Sequence, residues 1–182
     1  MGVAEAITGA LALAALSTAA DFVWATWISS HRAIYGFLHG TLLFLAIGLI
    51  LGRIAGRGAA GAIAGACLGA FAAGLYYVLA PLLGFSAMIV SWMAVWLGLS
   101  AMYGRLNAQR IDAGRRHDIR RSLAAVLVRG LIAAIASGLA FYLISGIWQP
   151  FNPQGSDYVI HFVAWAIAYF PGFAALLIAR PG

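Results

Sequence analysis

The stretch Asp21–Gly40, DFVWATWISSHRAIYGFLHG, lies where one long apolar segment ends and the next begins. It holds one of the chain's five acidic residues, two of its four histidines (His31 and His39) and two of its six tryptophans (Trp24 and Trp27). The apolar runs on its two sides, residues 3–27 and 33–52, each reach the about 20 residues that a helix needs to cross a hydrocarbon core. Read as the turn of a transmembrane hairpin, this stretch sets the pattern for the rest of the 182 residues.

Four further segments of the same kind follow, at 59–82, 86–104, 122–146 and 157–179. Backbone polar groups in lipid must satisfy one another, which leaves helices as the conformation for these segments. The expected fold is therefore all-α, a bundle of six transmembrane helices forming one domain over 1–182. Composition agrees: 64% of residues are hydrophobic and 9% charged, against about 45–50% apolar in soluble domains. Mean hydropathy is +0.95. Met1–Ala20 lacks a basic leader and its apolar run continues to Trp27, so it reads as a retained first span, not a cleaved signal.

Charge placement gives an orientation. All 11 basic residues are arginine. The absence of lysine excludes Schiff-base chemistry, whether retinal or aldol. Arg53 and Arg57 fall in the second connection, Arg105, Arg110, Arg115, Arg116, Arg120 and Arg121 in or beside the fourth, and Arg180 near the chain end. The positive-inside rule then places both termini on the cytoplasmic side of a cytoplasmic (inner) membrane. The pI of about 10.1 comes mostly from that fourth connection and points to anionic membrane lipids, not nucleic acid. Cys67 stands alone, so neither an internal disulfide nor a multi-cysteine metal site is available.

Return helices close on Arg53, Arg105 and Arg180, so either the spans form three α-hairpin repeats around a central cavity, or their likeness reflects only a shared Ala/Leu/Gly-rich composition. Gly61, Gly65 and Gly69 form a small-residue face, suited to close helix packing within the bundle or to a homo-oligomer contact.

Ionisable residues inside spans are costly and by default mark a functional site. With the orientation above, Asp21, His39, Asp157 and His161 come to a similar outer depth from three helices, with His161 one turn below Asp157 on the same face. Trp24 and Trp165 are expected as the wall of a pocket there. Arg129, inside the fifth span, either snorkels to the cytoplasmic surface or faces the bundle and binds a carboxylate or headgroup. His39 and His161 are also the candidate ligands of a divalent metal, or the two axial ligands of a haem. No phosphate loop, nucleophile elbow or CxxC occurs in a suitable context. The tail, Gly146-Ile147-Trp148-Gln149 with Pro153, Gly172 and Arg180, is faintly similar to the last hairpin of Insig-type sterol-sensing proteins. The other spans do not follow that family's order, so no membership is inferred. The sequence reading is a membrane protein that binds or transports a small molecule or ion through a polar pocket at its outer face. The alternatives are a haem- or metal-binding redox protein and a lipid-binding regulatory scaffold.

Overall fold

The computed structural model of the chain describes residues 2–28, 32–108, 119–145 and 153–178. These residues form six helices long and apolar enough to cross a membrane, and no strand occurs among them. They are α1 (Gly2–Val23), continued by a π-helical turn (Trp24–Ile28), α2 (Arg32–Ile54), α3 (Gly58–Leu83), α4 (Ser86–Ala108), α5 (Ile119–Ser145) and α6 (Asp157–Leu177). The chain is a multi-pass membrane protein. Expected and observed spans differ only at their ends; α4 runs on to Ala108 and carries Arg105 in its last turn. His31, Trp148, Arg180 and the arginines of the fourth connection from Arg110 to Arg116 lie outside the described residues.

Glycines end α2 and α3. After α2, Gly56 takes φ 78°, its N–H donates to the Arg53 carbonyl at 2.9 Å, and the Arg57 N–H reaches the Gly52 carbonyl at 2.7 Å. This paired closure satisfies carbonyls that a helix end leaves open, and it needs a residue that adopts the left-handed region.

Each helix packs against its neighbours in sequence, and α6 returns to α1, so the six antiparallel helices close a ring. Among the described residues α1 packs far more extensively on α6 than on α2, so the contacts do not sort into three equivalent hairpins. Aromatic rings fill the middle of the ring. Trp92 of α4 stacks on Phe141 of α5 at 4.7 Å between centroids and lies 5.4 Å from Tyr169 of α6. Phe44 of α2 meets Trp92 edge-on at 6.0 Å, and Trp96 meets Phe173 edge-on at 5.8 Å. The Trp92 indole N–H donates to Ser137 Oγ at 2.9 Å, and that hydroxyl donates to the Ala168 carbonyl at 2.6 Å, tying α4, α5 and α6 together. Large apolar side chains such as Ile63, Val78, Leu82 and Leu127 point outward, where lipid is the solvent.

Helices α2 and α3 meet backbone to backbone. Gly61, Gly65 and Gly69 are buried against Gly40, Phe44, Gly48 and Gly52. A Cβ built on Gly65 would lie 2.9 Å from the Gly48 Cα and nearer still to the Phe44 carbonyl oxygen. Such an approach brings Cα–H groups onto facing carbonyls and extends dispersion contact where hydrophobicity cannot drive association. The small-residue face of α3 is thus occupied by α2, and a second copy could use it only by displacing that helix.

The same substitution should act oppositely at two glycines of α3. Gly65→Ala forces α2 away and should lower the thermal midpoint in detergent, at a cost of about 1–3 kcal/mol. At Gly74 the nearest atom to an added Cβ is Phe37 Cζ at 3.9 Å. Gly74→Ala should therefore hold or raise the midpoint, gaining up to about 1 kcal/mol of helix propensity. Circular dichroism melts of the two variants check this.

A polar cluster between α1, α2 and α6

The α1–α6 contact is a ladder built from residues four apart on each helix, which stack on one face. Gly9 of α1 faces the Phe173 ring, Ser17 faces Tyr169, and Asp21 faces Trp165 and His161. The rung nearest the start of α1 is apolar, the middle rung a pair of hydroxyls, and the outer rung, beside the π-helical turn, holds the carboxylate. Ser17 Oγ and Tyr169 OH are 2.8 Å apart and fully buried.

Asp21 is the centre of the outer rung. His161 Nδ1 lies 2.9 Å and Trp165 Nε1 2.7 Å from the same carboxylate oxygen, Oδ2. Among the described residues, Oδ1 accepts no hydrogen bond. The Asp21 side chain keeps 19% of its surface exposed while His161 keeps 7%. The carboxylate is therefore gripped from the α6 side and open on another. Just beyond it, α1 widens into the π-helical turn Trp24–Ile28, with Thr26 Oγ1 donating to the Phe22 carbonyl at 2.7 Å. Turns of this kind are rare and frequently lie at functional sites.

Helix α2 supplies the other wall. Tyr35 OH and His39 Nδ1 are 3.0 Å apart, one helical turn from each other. The Trp24 ring lies 4.3 Å from the Tyr35 ring, and the His39 ring 6.4 Å from Trp165. On the α6 side Phe22 meets Tyr158 edge-on at 5.6 Å.

Of the residues singled out in the sequence, Asp21, His39, His161, Trp24 and Trp165 come together here. Asp157 serves α6 instead: its Oδ2 accepts the Gln154 N–H at 3.0 Å, closing the start of the helix where a negative charge also meets the positive end of the dipole. Arg129 lies on the other half of the bundle. Gly130 packs on Ser100, and Arg129 sits eight residues before Ser137, about 12 Å nearer the opposite end at 1.5 Å per residue. Arg32, at the start of α2, has a side chain outside those described. Among the described residues no group of three or more His, Cys, Asp or Glu assembles. Tyr35, Ser17 and Tyr169 also belong to the cluster and were not among the residues singled out in the sequence. Their signal was spacing: each stands four residues from His39, Asp21 or Trp165.

A groove of about 610 Å³ opens elsewhere, at the end where α1 begins and α6 finishes, lined by Gly2, Val3, Ala4, Ile7 and Ile178. It includes none of the cluster residues. No family model, no curated protein and no solved structure matches this chain. The cluster is therefore interpreted on its own geometry.

The middle rung makes a direct prediction. Ser17→Ala or Tyr169→Phe leaves one buried hydroxyl without its partner and should cost about 1–3 kcal/mol. The double variant removes both groups and should cost less than the sum of the singles. Denaturant titration in mixed micelles of the three variants measures it.

Proposed function

We propose that this protein binds or transports a small polar ligand through the Asp21 cluster, from the outer side of a cytoplasmic membrane with both termini inside. The observation that carries the reading is the Asp21 carboxylate. It lies near the end of a transmembrane helix, has two α6 side chains on one oxygen, and keeps part of its surface open. A carboxylate kept only for helix packing would be used on both oxygens or replaced by an apolar residue, because an ionised group near lipid is expensive. Here the cost is offset on one side only, which suits a group that completes its coordination with a ligand. His161 and Trp165 hold the carboxylate, while His39 and Tyr35 contribute a second polar edge. Trp24 and Trp165 supply apolar ring surface. The direction and energetics of movement follow from whether both sides of the membrane gain access in turn; the apolar rung of Leu13, Gly9 and Phe173 lies across the path inward from Ser17.

A divalent metal or haem held by His39 and His161 is the competing reading. Both imidazoles already engage through Nδ1, and a carboxylate on that nitrogen is the arrangement that orients a ligating histidine. Absorption spectroscopy and elemental analysis of the purified protein separate the two: a Soret band or stoichiometric metal selects the competitor.

For the leading reading, proteoliposomes are assayed against a panel of small cationic, zwitterionic and neutral solutes. Saturable uptake or binding is expected for wild type. Asp21→Asn, and His39→Ala with His161→Ala together, should reduce it by about tenfold or more, the scale of losing one charge-assisted contact. A signal that survives both variants contradicts the assignment.

A further inference from the structure

We infer that the ligand of this site is a substituted ammonium ion, a cation whose charge is spread over carbon-bound hydrogens. This rests on the outer-site reading above and gives it a substrate class.

The charge of the site points to a cation. Asp21 supplies the negative charge, and its partners among the described residues are an indole and an imidazole, not an arginine. Arg53, Arg57, Arg105 and Arg129 all belong to the opposite half of the bundle, while Arg32 begins α2 at this end with a side chain outside those described. Asp157 makes its contact with the Gln154 N–H at the start of α6, so among the described residues Asp21 is the carboxylate bonded within the cluster. A hard metal ion asks for several oxygen ligands, and no group of three His, Cys, Asp or Glu assembles among the described residues. A polyhydroxylated neutral solute would ask for several donors and acceptors, whereas the residues grouped with Asp21 are mainly aromatic.

The rings provide the remaining recognition. Trp24 and Tyr35 stand together at 4.3 Å on the α2 side, Phe22 and Tyr158 at 5.6 Å on the α6 side, and Trp165 beneath with its N–H on the carboxylate. Aromatic faces beside a carboxylate are the surroundings that replace water around a quaternary ammonium group, because the ring quadrupole attracts a diffuse positive charge. Trp24 and Tyr158 are half-buried, so they border the open side of the site instead of closing it off within the core. Within the same turn of α1, Thr18 keeps a buried hydroxyl oxygen without a hydrogen-bond partner. It is a further acceptor one turn below Asp21.

The test uses the full chain in lipid nanodiscs, following tryptophan fluorescence and the thermal midpoint. Choline is titrated in parallel with 3,3-dimethylbutan-1-ol, its uncharged isostere, and with sodium chloride at matched ionic strength. Choline should give a saturable change and raise the midpoint, as a ligand that binds the folded state must. The neutral isostere should bind at least about tenfold more weakly. Trp24→Leu, which spares the Asp21 contacts, should weaken choline by about 2- to 30-fold, the range of a cation–π contact. Asp21→Asn should abolish the response; its midpoint without choline reports whether it is folded. Equal binding of choline and its isostere would overturn the inference, as would choline binding unchanged in Trp24→Leu. Choline silence with an Asp21-dependent response to sodium or another solute would overturn the ligand class and leave the site standing. Silence across the whole panel, in binding and in uptake, would remove both.

Discussion

A carboxylate near the end of a transmembrane helix has to be accounted for, and most of this molecule's arrangement follows from how that is done. Asp21 is held by two donors from α6, the helix most distant from it in sequence. That grip brings the first and last helices side by side and closes the ring. Below it, Ser17 with Tyr169 and then Gly9 with Phe173 continue the same contact in progressively less polar terms. The gradient matches the medium: charge where water can reach, paired hydroxyls at mid-depth, hydrocarbon further in.

The opposite wall of the ring is made by other means. Helices α2 and α3 have no polar ladder; their glycines let the backbones touch, and dispersion with weak Cα–H contacts holds them. The rigid pair they make presents Tyr35 and His39 on one side toward α1 and α6, and Phe44 toward the aromatic centre. The centre is ring against ring, from Trp165 through Trp92 and Phe141 to Trp96 and Phe173. Stacked and edge-on aromatics with one indole–serine–carbonyl chain leave no need for a central cavity, and the polar cluster sits toward one end instead. The half-exposed Trp24 and Tyr35 pack together at the end of the bundle where Asp21 lies.

Much of this could be read from residues alone. Length and apolar composition define the six spans, since hydrocarbon thickness fixes how long an uninterrupted helix must be. The grouping of Asp21, His39 and His161 followed from the alternation of spans, because alternate helix ends share a face of the membrane. Asp157 illustrates the limit of that argument: its place at a helix start gave it a local partner, and depth does not report which way a side chain points. Arg129 illustrates the same limit along the axis. Ser17, Tyr35 and Tyr169 carry the right four-residue spacing to Asp21, His39 and Trp165, yet spacing within a helix does not name the helix opposite. For the same reason the glycines of α3 were visible as a packing face, while their partners Gly40, Gly48 and Gly52 were not, and the return of α6 to α1 needed the structure.

The grip of α6 on Asp21 is the claim on which the arrangement and the functional reading both depend. A double-mutant cycle on Asp21→Asn and His161→Gln, with stability measured by reversible denaturation in mixed micelles, tests it most directly. The contact at 2.9 Å predicts that the two losses are not additive, with a coupling of about 1–3 kcal/mol. Losses that add within about 0.3–0.5 kcal/mol would show the two side chains to be independent and contradict the account.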